Sequence, residues 1–383
     1  MMSICRGAVL RGPELGEKDS SGARFKPLQI EEIEVAAPGS HELLIKVLAA
    51  GLCHSDLSVM NGSRPRPLPM LLGHEACGEV IALGDGVDRF AVGDRVVFSF
   101  VPSCGHCLFC AGGRPSLCEP GAKANGVGAL LSGERRFKDK NGHALNHHLG
   151  VSAFSELTVV SDCSAVKVDK DLTPEIAALF GCAVLTGVGA VINTAQVSAG
   201  QSVIIFGMGG VGLAALLGAV AAGAYPVVCV DIVESKLEMA QTLGATHVFN
   251  SKGLSTEDTV EAVKKITSGG AAYVFETVGN EQALHQAYLS TARGGTTVAV
   301  GLPHPSKQFS ISAASLVAEE RTVKGSYMGS SVPIADIPRL IALYRSGRLA
   351  VEKLISARLT LDQINYGFEQ LDQGVAIRQI VLF

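Results

Sequence analysis

Tryptophan is absent from the 383 residues, aromatic side chains amount to 5%, and charged ones to only 18%, with a formal net charge of −4. No tract of lysines and arginines relieves that mild acidity, so nothing is present to hold a nucleic-acid backbone or an anionic lipid surface. A small-molecule partner is expected. The sequence also lacks a positively charged start followed by an apolar core and a cleavage site. A cytoplasmic location is therefore expected, with the ten cysteines mostly reduced. Residues 176–230 contain no Asp, Glu, Lys or Arg, a stretch long enough for two membrane spans. Against a span, Val203-Ile204-Ile205-Phe206 and Val227-Val228-Cys229-Val230 are short β-branched runs, and glycines with Asn193, Gln196 and Gln201 interrupt the rest. Strands covered by helices on both faces are apolar throughout, which accounts for the missing charge without lipid.

What is present exceeds one hydrophobic core and suggests two domains. The run Val203–Phe206 leads into Gly207-Met208-Gly209-Gly210-Val211-Gly212 and then an Ala/Leu-rich helix. In this strand-to-helix setting Gly207 allows a tight turn, Gly209 lets backbone approach a pyrophosphate, and Gly212 lets helix and strand pack closely. Gly210 and Val211 complete the cofactor loop. Asp231 ends the next strand, 24 residues after Gly207, where an acid can bind the adenosine ribose. Its charge would repel a 2′-phosphate, so NAD is favoured over NADP, with Lys236 a further ribose contact. Strands over 273–276 and 296–300 and helices over 257–267 and 281–292 complete a doubly wound parallel sheet of α/β class.

Cys104, Cys107, Cys110 and Cys118 lie within fifteen residues that also hold Gly105, Gly112, Gly113 and Pro115. Such a loop has little core of its own, and four thiolates closing tetrahedrally on zinc would replace it. An iron–sulfur cluster is the alternative, while disulfides suit a reducing compartment poorly. A second constellation is Cys53-His54-Ser55-Asp56 with Gly73-His74-Glu75. Cys53 and His74 are the ligand types of a zinc site that is not closed, and Cys182, in Gly181-Cys182 before the apolar run, is the best third ligand. Cys5, Cys77, Cys163 and Cys229 read as ordinary buried thiols. His147-His148 reads as the surface of a polar loop, and residues 11–26 as another. 

Together with Ala376-Ile377-Arg378, these pieces resemble, in order and over nearly the whole length, the zinc-dependent alcohol dehydrogenases of the medium-chain dehydrogenase/reductase family. The resemblance implies a GroES-like, mainly β catalytic domain with a zinc lobe, formed by residues 1–183 and 328–383, around a Rossmann NAD-binding domain, 184–327. It implies two zinc ions per chain, one structural on the four cysteines and one catalytic on Cys53, His74 and Cys182, with Asp56 and Glu75 behind the ligands. Ser55 would meet the substrate oxygen, Thr186 would pack at the nicotinamide, Val300 and Leu302 would serve its carboxamide, and His54 and Arg378 would face the pyrophosphate. Phe100 resembles a wall of the alcohol pocket. Hydride would pass to NAD from an alkoxide held on zinc. Many relatives continue the proton relay to a histidine where this chain has Ser58, so protons are expected to leave through water or His54.

Primary aliphatic, allylic or aromatic alcohols are the expected substrates. The rival reading is a thiol-dependent formaldehyde dehydrogenase, which would place an arginine shortly after the fourth cysteine, whereas this chain reads Cys118-Glu119-Pro120-Gly121-Ala122. By the same resemblance the chain is expected to be a homodimer, with a tetramer as the alternative. A zinc-knuckle binding module or a relic nucleotide-binding protein would each leave one of the two ligand sets unexplained.

Overall fold

The computed structural model describes residues 2–12 and 27–383. The expected polar loop therefore falls, over 13–26, outside the described residues. Packing divides the chain into two units, Met1–Cys182 with Val332–Pro338 and Ile355–Phe383, and Ala183–Ser331 with Arg339–Leu354. The second crossing thus differs from the expected one at 328, because residues 339–354 group with the second unit, Val351–Leu354 against helix Gly210–Ala221. Helix Pro333–Arg345 carries Pro338 inside it, and the allegiance changes at that residue. A proline cannot donate the helical hydrogen bond and loosens the helix at the point where the partner changes.

In the second unit six parallel strands run across the sheet in the order His247–Asn250, Val227–Asp231, Val203–Phe206, Ala271–Glu276, Thr291–Ala299, Thr322–Gly325. Val203, Ile204 and Ile205 have no exposure, and helix Gly210–Ala221 is buried over most of its circumference, so the charge-free stretch is a sheet and helix interior. Among the described residues no helix is long and apolar enough to cross a membrane. Helix Thr256–Ile266 starts where Ser255 accepts the Asp258 amide. Helix Glu281–Ser290 stops two residues before the expected end, where Thr291 enters a strand. The strand order reverses at Val203–Phe206, and the crevice at the carboxyl ends of strands around such a reversal is where this architecture binds ligands.

The first unit is mainly β. Ser3–Leu10, Leu28–Val35, Phe137–Asp139, Ala144–His147 and Met70–Leu71 close a barrel. A seven-stranded sheet runs Ala165–Val168, Arg95–Phe98, Glu75–Leu83, Glu42–Gly51, Arg378–Leu382, Ile355–Leu359, with Leu157–Ser161 also paired to Glu42–Gly51. Their shared core gathers Leu10, Leu43, Ile45, Phe98, Phe154 and Phe368.

Candidate active site

Strand register brings the ligand candidates together. Glu42–Gly51 runs antiparallel to Glu75–Leu83 with Gly51 opposite Glu75. Cys53, two residues past one strand, and His74, one residue before the other, therefore emerge at the same sheet end. Arg378–Leu382 pairs along the other side, Ile380 opposite Gly51, and delivers Arg378 there. Cys182 follows helix Pro174–Leu179, and Gly181 permits its approach, since a Cβ at that position would stand 2.5 Å from the Phe98 carbonyl oxygen. The ligand atoms of Cys53, His74 and Cys182, all buried, lie within 4.8 Å of one another, with Cys182 Sγ 3.4 Å from His74 Nε2.

Asp56, buried in the first turn of helix His54–Met60, faces the other side of His74. Its Oδ1 accepts His74 Nδ1 and the Gly73 amide, each at 3.1 Å. With the proton held at Nδ1, the Nε2 lone pair points at the sulfurs, which is how a carboxylate prepares a histidine to ligate metal. Burial would raise the Asp56 pKa, but His74 and His148 outweigh it and hold the carboxyl below its usual range. Burial would likewise depress His74, and Asp56 with Cys53 reverses the sign. The hydrogen bond with Cys182 holds Cys53 low, aided by Arg378, and the same bond with burial pushes Cys182 up, so the pair favours one thiolate. Arg378 remains a buried cation against Glu75, 3.6 Å away, and donates to the Leu52 carbonyl at 3.1 Å. Two sulfurs and an imidazole nitrogen, enclosed and backed by a carboxylate, fit zinc in donor type and in the number of protein ligands a catalytic zinc takes.

The Phe100 ring stands edge-on to His74, centroids 5.7 Å apart. Ser55 is half-buried in the same helical turn as Asp56, and His54 is exposed. The Ser58 hydroxyl donates to the His54 carbonyl at 2.8 Å, turned into its own helix. The surface reading of His147-His148 is corrected, because both rings are buried. Strand Ala144–His147 pairs parallel with Met70–Leu71, the strand just before Gly73-His74. That long-range pairing draws His148 Nδ1 to 3.0 Å from Asp56 Oδ1. His147 Nε2 accepts the Arg136 amide at 3.1 Å. The neighbouring pair of histidines was the available signal, and only the pairing partner makes it informative.

The four sulfurs of Cys104, Cys107, Cys110 and Cys118 also lie within 4.8 Å of one another. Backbone amides of Cys104 and Gly121 donate to Cys118 Sγ at 3.3 and 3.4 Å, and that of Cys107 to Cys104 Sγ at 3.3 Å. Such N–H donors favour the thiolate, the ligating form of cysteine. The backbone hydrogen bond involving Cys110 lowers the Cys107 pKa to about 6. Cys118 also caps helix Glu119–Val127, on which Asn125 Nδ2 donates to the Phe100 carbonyl at 2.9 Å. The remaining thiols sit apart, pushed up by burial to about 11 at Cys5 and about 12 at Cys77 and Cys163.

In the second unit a Cβ at Gly212 would stand 1.7 Å from the Gly207 carbonyl oxygen, whereas one at Gly209 would meet nothing within 4 Å. Close packing is on one side of the turn and open backbone on the other, as a pyrophosphate cradle at the start of helix Gly210–Ala221 requires. Asp231 Oδ2 accepts the Met208 amide at 2.6 Å, and Oδ1 accepts those of Ile232 and Val233 at 2.7 and 2.9 Å. A carboxylate has about four acceptor sites, so capacity remains for a ribose hydroxyl. Lys236 is half-buried in the first turn of helix Glu234–Thr242. Thr186 and Val300 are buried, and Leu302 is exposed. The Val300 amide donates to Glu276, which leaves its carbonyl as the group a carboxamide could use.

A family model described as "Alcohol dehydrogenase GroES-like domain" matches residues 39–170, and one described as "Zinc-binding dehydrogenase" matches residues 210–346. The chain is 38% identical over 361 residues to alcohol dehydrogenase class-3 of Drosophila melanogaster, covering 94% of this chain and 95% of that protein. It is similar throughout to the solved alcohol dehydrogenase zinc-binding domain protein from Burkholderia ambifaria, with 36% identity, TM-score 0.92 and 100% of each chain covered. It is also similar to benzyl alcohol dehydrogenase from Acinetobacter calcoaceticus, with 33% identity and TM-score 0.91, covering 100% of this chain and 99% of that one.

Proposed function

Because the chain belongs to the zinc-dependent alcohol dehydrogenases of the medium-chain dehydrogenase/reductase family, we propose that it interconverts primary alcohols and aldehydes with NAD, using Cys53, His74 and Cys182 to hold a catalytic zinc. The convergence of those three ligand atoms, with Asp56 behind His74, carries the reading. When bound, zinc would supply a Lewis acid for the alcohol oxygen, and NAD an acceptor for the hydride leaving the alcohol carbon.

The chain's own groups do the rest. Asp56 keeps the His74 proton on Nδ1. Arg378 offsets the negative charge of the ligand sulfurs and of Glu75. Ser55 accepts the hydroxyl proton of the alcohol as it passes its own outward, so the proton and the hydride leave by separate routes and one aldehyde forms per NADH. With the Ser58 hydroxyl turned inward, water or the exposed His54 completes that route. Phe100 lines an apolar wall for allylic or aromatic groups. Gly207, Gly209, Gly210, Val211 and Gly212 take the pyrophosphate, and Asp231 and Lys236 take the ribose. Thr186, Val300 and Leu302 position the nicotinamide. The four-cysteine lobe takes a second, structural zinc. The proposed location is the cytoplasm, where reduced thiols are available to ligate metal. A homodimer joined along the exposed edge strand Thr322–Gly325 is the proposed assembly, and light scattering should return the mass of two chains.

The test is initial-rate NADH formation with benzyl alcohol and a ladder of primary alcohols, repeated with NADP, on protein of measured metal content. Turnover with NAD and about two zinc per chain is expected. The class-3 relative favours one second reading, oxidation of a formaldehyde–thiol adduct. Glu119, in the first turn of helix Glu119–Val127, argues against an anionic thiol carrier there. Activity confined to formaldehyde plus a thiol would reverse that preference.

A further inference from the structure

We propose that His148 is a positioning residue for the metal centre, holding the Asp56 carboxylate in the orientation that keeps His74 Nε2 aimed at the two ligand sulfurs. The proposal rests on reading Cys53, His74 and Cys182 as that centre.

Three observations carry it. First, His148 is buried with its ring edge-on to His74, centroids 5.5 Å apart at 86°. Its Nδ1 is 3.0 Å from Asp56 Oδ1, within charge–dipole reach although off the line of an ideal hydrogen bond. Second, Asp56 is held from two segments. His74 Nδ1 stands 3.1 Å from both carboxylate oxygens, whereas the Gly73 amide and His148 Nδ1 meet Oδ1 alone. The rotation of the carboxylate beneath His74 is therefore set by the two further groups at Oδ1. The Gly73 amide and His74 come from one strand entry, and His148 is the contact from a different segment.

Third, the backbone that delivers His148 is strained. Leu149 and Ser152 take φ of 52° each, around Gly150 at 67°. Non-glycine residues adopt this left-handed region at a penalty that persists only where the surroundings over-determine it. Here the Ser152 hydroxyl accepts the His148 amide and donates to the Leu71 carbonyl, both at 2.8 Å, clipping the turn to the strand that leads into Gly73-His74. The outcome of this strained turn is a second imidazole against the carboxylate. A neutral core histidine would need no such turn, since an apolar side chain would fill the space.

Metal release to a chelator such as EDTA, followed with a zinc-sensitive dye, tests this without using turnover. The wild type should release zinc in two phases, one from the three-ligand site and one from the four cysteines. With His148→Phe, the three-ligand phase should accelerate about 10–100-fold while the four-cysteine phase stays unchanged, the usual scale for loss of an outer partner. His148→Asn returns an N–H near the place of Nδ1 and should stay within about threefold of wild type. Cobalt-substituted protein adds a second readout, because altered His74 geometry shifts the visible bands of the metal in His148→Phe and not in His148→Asn. If the phenylalanine variant does not fold, His148→Gln, which carries its donor beyond reach of Oδ1, takes its place. Wild-type release rates in His148→Phe would overturn the proposal. So would equal acceleration of both phases, or Asn behaving as Phe does. A wild type that binds zinc only on the four cysteines would defeat the reading of the centre itself, a distinct failure.

Discussion

The two units make their binding surfaces from opposite materials. In the first, the candidate metal centre is built from side chains: two thiols, an imidazole, two carboxylates and a guanidinium, all buried, with the thiols, His74, Asp56 and Arg378 tuned by their neighbours. In the second, the cofactor loop is built from backbone and from missing side chains, with open space beside Gly209 and no room at all beside Gly212. Side-chain chemistry fails when one group is removed. Bare backbone fails when one group is added.

The sharpest test of that contrast is deletion at the first site. His74→Ala should lower kcat/KM with benzyl alcohol by about 10³-fold, on the order of 4 kcal/mol of lost charge stabilisation. Circular dichroism should show the fold retained, and one zinc per chain should remain on the four cysteines. Loss of both zincs would show that the sites are not independent. Addition at the second site comes next. Gly212→Ala forces a Cβ onto a backbone oxygen and should destabilise the protein by about 1–3 kcal/mol or more, read as a falling Tm. Gly209→Ala should leave Tm unchanged and raise the KM for NAD. If Gly209→Ala instead leaves that KM untouched, the open side of the turn is not the pyrophosphate cradle.

Asp231→Asn tests the one charge on which the backbone site depends. It should move the ratio of kcat/KM for NADP over NAD upward by about tenfold, roughly 1.4 kcal/mol. An unchanged ratio would remove Asp231 from cofactor choice.

How much of this was legible in the sequence follows the same divide. The glycine loop and the four-cysteine lobe are local, so spacing together with the flanking strand and helix pattern reveals the turn and the helix start, and spacing reveals the cluster of four thiols. The pairing of Cys53 with His74 is legible as ligand chemistry, although their proximity depends on Gly51 lying opposite Glu75, a register no short window displays. His148 reads as surface from sequence because its neighbours, Asn141 to His147, are mostly polar. Its burial comes from Ala144–His147 pairing with Met70–Leu71, more than seventy residues away in sequence. The allegiance of residues 339–354 was hidden for a similar reason. Leu349, Val351 and Leu354 are apolar in any fold, and which core they join is decided by helix Gly210–Ala221.

The smallest effect expected at neutral pH concerns His147. Burial, with Arg135 and Arg136 nearby, lowers its pKa to about 3 from an ordinary 6.5. The unfolded chain therefore binds a proton that the folded chain refuses. The contribution of this residue is fully present above pH 6.5 and is lost progressively as pH falls toward 3. His147→Phe removes the acceptor of the Arg136 amide and should cost about 1 kcal/mol at pH 7.5. It should also make Tm decline less steeply between pH 6.5 and 4, so the two curves converge in acid. Parallel curves would assign the acid sensitivity elsewhere.

Cys118 serves at once as one of four clustered sulfurs and as the cap of the helix whose Asn125 grips the carbonyl of Phe100. A lobe with no chemistry of its own thereby anchors the backbone that carries the ring beside His74. If Phe100 lines the proposed substrate pocket, loosening that anchor by oxidising a thiol of the lobe should register first as a change in the relative kcat/KM values of different alcohols.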